Sequence, residues 1–116
     1  MMRLMTNYEF GDIVLVPFPF TDQSSLKKRP AIVVSSSVYN RDRPDIIILA
    51  VTSQMAAPPQ IGSFLIKDWQ SAGLLMPSVA KPIVTTLQKS LVTQKLGRLV
   101  IPDLESLKKA LLEIFG

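Results

Sequence analysis

At 116 residues the chain has room for about one domain, and 47% hydrophobic against 19% charged residues lets it bury a core, which excludes a disordered polar chain. It holds no histidine and no cysteine, which excludes a Ser-His-Asp triad, imidazole acid–base catalysis, a thiol nucleophile, disulfides and thiolate metal sites. A net charge of +4 and a pI near 9.6 favour anionic partners, and any hydrolysis must be run by carboxylates, Arg, Lys or hydroxyls.

Along the chain, Gly11-Asp12 makes a turn, and β-branched and aromatic residues predict a strand over 13–18, limited by Pro17 and Pro19. A polar loop over 20–29 follows, then a second strand over 30–35 and a loop over 36–45. Residues 46–52 are apolar at successive positions, so a central strand buried on both faces is expected. A Pro-bearing loop at 55–59, a short strand over 63–66 and one helical turn over 67–73, closed by Gly73, come next. Residues 82–87 predict another strand, and Leu91 and Leu96 sit in a turn before 97–100. The clearest helix starts at Pro102, with Asp103 and Glu105 in its first turn and Leu104, Leu107, Leu111 and Ile114 on one face. Short strands followed by one C-terminal helix suggest a mainly β (α+β) domain over 1–116, a curled antiparallel sheet of the SH3-like barrel kind. The longest apolar run, 46–51, is far short of the about 20 residues of a transmembrane helix. Asn7, Glu9 and Asp12 interrupt any leader-like stretch, so a cytoplasmic protein that does not touch the membrane is expected.

Three groups of residues could carry chemistry. Lys27-Lys28-Arg29 closes the polar loop where a strand is expected to begin, an arrangement suited to phosphate: Lys brings point charge and Arg a planar fork. The competing reading is a solvated run of charge. Thr52-Ser53-Gln54 leaves the apolar strand with two hydroxyls and an amide that can bond a phosphate or a base edge, or simply cap the strand. Asp22, in the loop before the cations, is either a base or a turn residue. No Gly-rich phosphate loop, paired carboxylates or metal-ligand spacing is present, so neither a metal nor a cofactor is expected.

The blocks 11–16 (GDIVLV), 18–22 (FPFTD) and 28–35 (KRPAIVVS), followed by 50–53 (AVTS), 72–74 with Pro77-Ser78, and Leu91-Val92 with 96–99 (LGRL), together resemble the MazF/PemK-like toxins in order and spacing. The resemblance covers nearly the whole chain. It implies the SH3-like, CcdB/PemK-like toxin fold and a homodimer. It further implies the toxin of a type II toxin–antitoxin system: a sequence-selective endoribonuclease that cuts single-stranded RNA without a metal and is inhibited by an acidic antitoxin. Operator DNA would be bound only as the toxin–antitoxin complex. By the same resemblance Arg29 and Thr52 are catalytic and the loop over 20–28 gates the site; from the residue groups above, Lys27, Lys28, Asp22, Ser53 and Gln54 are expected to bind substrate. The glutamate that some members carry in that loop and the glycines that many carry are missing here; Asp22 is its one carboxylate. RNA brings its own nucleophile, the 2′-OH, so orientation and charge stabilisation suffice for cleavage. The alternatives are a CcdB-like gyrase poison acting through its C-terminal helix, and a nuclease-dead relative that only binds antitoxin or DNA.

Overall fold

Apolar residues alternate with each other rather than with polar ones along the middle of the chain, and the computed structural model shows why. It describes residues 7–18, 27–54 and 60–116. The elements run β1 (Asp12–Phe18), β2 (Lys27–Val33), α1 (Ser37–Asp42), β3 (Asp45–Thr52), β4 (Phe64–Ile66), β5 (Ser78–Gln88), a 3-10 turn (Lys89–Leu91), β6 (Gln94–Arg98) and α2 (Ile101–Phe115). The strands form one antiparallel sheet of order β4-β5-β3-β2-β1-β6, curled into a half-barrel with α2 laid against it.

The sheet is buried on both faces. Val14, Val16, Ala31, Val33, Ile46 and Ile48 pack on one side with Tyr8. Ile13, Ile32, Leu49, Val51 and Ile66 pack on the other with Leu107 of α2. Each such side chain contributes about 1.5–3 kcal/mol on leaving water. The expected central strand over 46–52 is therefore found, with its alternate residues in two different cores. Helix α2 also follows the expectation: Leu107 is fully buried, and Leu104, Leu111 and Ile114 pack beside it.

Several boundaries differ from expectation, each for a physical reason. Strand β2 begins at Lys27 rather than at residue 30, because Lys27, Lys28 and Arg29 pair with Phe18, Pro17 and Val16. Pro17 is tolerated in β1 because the β6 ladder stops at Leu15 and leaves that side of the strand nothing to break. Strand β5 starts at Ser78 rather than at residue 82; Pro82 falls where the pairing with β3 shifts register, and a bulge is where a strand accepts proline. The expected loop over 36–45 contains α1, whose start is capped by Ser36 Oγ accepting from the Tyr39 N–H at 3.1 Å. Buried Asn40 of α1 donates to the carbonyls of Tyr8 (2.8 Å) and Ser35 (3.1 Å), and the Ser35 hydroxyl donates to its Oδ1. The expected turn around residues 91–96 includes most of β6.

Candidate functional site

The site forms where the strands outrun their neighbours. Past residue 15, β1 and β2 continue without β6, and β3 ends at Thr52. A cavity of about 540 Å³ opens there. Leu15, Arg29 and Pro30 line it from β1 and β2, and Val51, Thr52 and Ser53 from the end of β3. Residues 73–76, with Ser78 of β5 and with Gln94 and Leu96 of β6, complete the lining.

Local chemistry fixes the 73–76 part of that lining. Asp103, in the first turn of α2, has no exposed surface, and its two carboxylate oxygens accept the backbone N–H groups of Lys67 (3.0 Å) and Asp68 (2.9 Å). A carboxylate at a helix N-terminus is also favoured by the helix dipole. The helix thereby holds the turn over 67–73, within which Asp68 Oδ1 accepts from Ser71 N–H at 3.2 Å and Trp69 O accepts from Leu74 N–H at 3.0 Å. Gly73 has φ +88°, and a Cβ there would lie 2.1 Å from the Leu96 carbonyl oxygen. A Cβ on Gly97 would lie 2.3 Å from the Ala72 carbonyl oxygen. The turn and β6 thus touch main chain to main chain, which only glycine permits. Ser78 Oγ donates to the Met76 carbonyl at 2.8 Å and tethers the far end of the wall.

Arg29 is half-buried on β2 and lines the cavity, and Thr52 is half-buried at the end of β3. Thr52 Oγ1 accepts the Gln54 N–H at 3.1 Å, which leaves the hydroxyl hydrogen to donate elsewhere. A planar cation and two hydroxyls in one concave site can bind a phosphate and stabilise charge developing on it. No carboxylate lines the cavity among the described residues, and none of those residues forms a group of three or more acids able to hold a metal. The shifted titrations lie elsewhere: burial, then Asp12, raises Tyr8, and the hydrogen bond to Arg43 lowers Asp45.

Of the residues singled out in the sequence, Arg29, Thr52 and Ser53 meet in the cavity. Lys27, Lys28 and Gln54 are exposed and do not line it. Asp22 and most of the loop over 20–28 lie outside the described residues. Sequence reasoning about chemistry missed Leu15, residues 74–76, Ser78, Gln94 and Leu96. Leu15, Leu74, Ser78 and Leu96 stood in the family-like blocks, which was the one signal available; Gln94 carried none.

The model of the PemK-like, MazF-like toxins of type II toxin–antitoxin systems matches residues 9–115. No curated protein matches the chain. Among solved structures, an endoribonuclease in complex with its cognate antitoxin from a mycobacterial species is similar at TM-score 0.75 and 17% identity, over 94% of this chain and 95% of that one. A second mycobacterial endoribonuclease is similar at TM-score 0.74 and 18% identity, over 98% and 96%. The Mycobacterium tuberculosis toxin MazF-mt6 is similar at TM-score 0.71 and 17% identity, over 90% and 95%.

Proposed function

Because the chain belongs to the PemK-like, MazF-like toxins of type II toxin–antitoxin systems, we propose that it is a metal-independent endoribonuclease that cuts single-stranded RNA at the cavity holding Arg29 and Thr52. The observation that carries this reading is their convergence: residues 23 positions apart in the sequence line one concave site with Ser53.

The reaction needs no group the chain lacks. The 2′-oxygen attacks the adjacent phosphorus, the bond from phosphorus to the 5′-oxygen breaks, and a 2′,3′-cyclic phosphate and a 5′-hydroxyl result. The 2′-OH loses a proton and the 5′-oxygen gains one. Arg29 stabilises the added negative charge, and the hydroxyls of Thr52 and Ser53 orient the non-bridging oxygens. Asp22 is the carboxylate nearest to Arg29 along the chain and is our candidate proton acceptor. Lys27 and Lys28, exposed beside the site, steer the polyanion toward it.

We also propose a cytoplasmic homodimer whose antitoxin lays an acidic tail along the same cations. The gyrase-poison alternative would use the outer face of α2, since Asp103, Leu107 and Ala110 are buried; the meeting of Arg29 and Thr52 in one cavity favours the nuclease reading. One oligonucleotide tests the chemistry, with and without a 2′-deoxy sugar at the cut site and with and without EDTA. Full cleavage in EDTA and none at the 2′-deoxy position are expected. A requirement for added Mg²⁺, or cleavage of the deoxy site, overturns the mechanism.

A further inference from the structure

The cavity is larger and more apolar than a phosphate requires. A volume of about 540 Å³ falls in the roughly 300–1,000 Å³ range of sites that enclose an organic ligand. Besides the Arg29 cation and the Thr52 and Ser53 hydroxyls, Leu74, Leu75, Met76 and Leu96 line it. Leu75 is 92% exposed and Met76 51% exposed, although both flank a charged cavity. Aliphatic side chains held in water beside a phosphate site invite a flat, apolar surface attached to that phosphate.

We propose that this apolar lining takes one nucleobase of the RNA and that Gln94 reads its edge, an assignment that rests on the RNA-cleaving reading above. Gln94 is the one carboxamide among the described residues lining the cavity. Arg29 offers only donors, which suits phosphate; a carboxamide offers donors and an acceptor, which suits the mixed edge of a base. Sequence-selective proteins read single-stranded RNA in this way, splaying a base onto side chains and bonding its edge. The strand under Gln94 is firmly placed. It pairs with Leu15, whose carbonyl accepts the Thr93 N–H at 2.9 Å and the Thr93 hydroxyl at 3.0 Å. Gln94 and Leu96 share the cavity, while Lys95 between them ion-pairs with buried Asp12 at 3.1 Å. Aliphatic contact then supplies affinity for any base, and Gln94 supplies the choice among them.

The test exposes a randomised single-stranded RNA library to the wild type, Gln94→Leu and Gln94→Glu, and sequences both the cut ends and the bound, uncut fraction. The wild type is expected to prefer one base at a position next to the cut. Gln94→Leu, similar in size but without donor or acceptor, should flatten that preference by about ten-fold and leave preferences at other positions in place. Gln94→Glu, an acceptor only, should redirect it toward bases presenting an amino or imino hydrogen. An unchanged profile in both variants overturns the proposal, as does a uniform loss at every position or a lowered melting temperature that accounts for the change. If the wild type cuts nothing, the ribonuclease reading fails; the bound fraction then decides the base site, which stands if its preference is lost in Gln94→Leu and falls if it is not.

Discussion

Arg29 is the residue on which the proposed chemistry turns, and its setting separates that role from stability. It sits half-buried in a cavity wall at the start of β2, away from the fully buried positions of either core. Arg29→Ala should lower RNA cleavage by about 10²–10³-fold, the effect of removing one preorganised donor to developing charge. The variant should still unfold cooperatively, as followed by circular dichroism. A folded variant with wild-type cleavage would overturn the assignment. Lys27→Ala/Lys28→Ala changes exposed charges instead, so its defect should be smaller and should shrink as salt rises. Asp103 is the opposite case, a buried charge with no place in the cavity. Asp103→Ala strands the Lys67 and Asp68 N–H groups and should destabilise the protein by about 2–4 kcal/mol, read from urea unfolding.

At the scale of elements, the contact between the 67–73 turn and β6 makes the sharpest prediction. Gly97→Ala places a methyl 2.3 Å from a carbonyl oxygen that belongs to backbone, so strand or turn must move. Destabilisation of about 1–3 kcal/mol is expected from such overpacking, with a loss of cleavage beyond what the stability change explains, because the displaced turn carries residues 73–76 of the cavity wall. Thermal melts paired with cleavage rates check both parts. The elements themselves were unevenly legible in the sequence. Strand β3 and helix α2 stood out because their apolar spacing reflects burial of whole faces. The starts of β2 and β5 did not, since Lys27, Lys28 and Pro82 oppose strand formation locally and are overruled by pairing to β1 and by a bulge. Helix α1 was hidden by its brevity: its Ser36 cap and buried Asn40 act through contacts with Tyr8 and Ser35 that no local pattern announces. The site divides in the same way. Arg29 and Thr52 were visible as chemical types at strand ends, whereas Gln94 and Leu75 gain meaning only once β6 and the segment after the turn line the same cavity.

Away from the cavity the molecule carries more exposed apolar surface than its small core explains: Ile61, Ile101, Leu112 and Phe115 are each at least 67% exposed. A second copy is the expected cover for part of it, so light scattering at micromolar concentration should give twice the 12.8 kDa chain mass. A monomer across that range would contradict the dimer. The glycine contact also bears on how such a protein can diversify. Gly73 and Gly97 lock the cavity's width with main chain alone, and main chain has no smaller or larger alternative to sample. Mutation can break that spacing but cannot tune it. Heritable variation in what the cavity accepts is therefore channelled into the side chains set around a fixed frame, at positions 15, 75, 76, 94 and 96. A lineage can exchange its preferred ligand there by single substitutions while the scaffold stays constant.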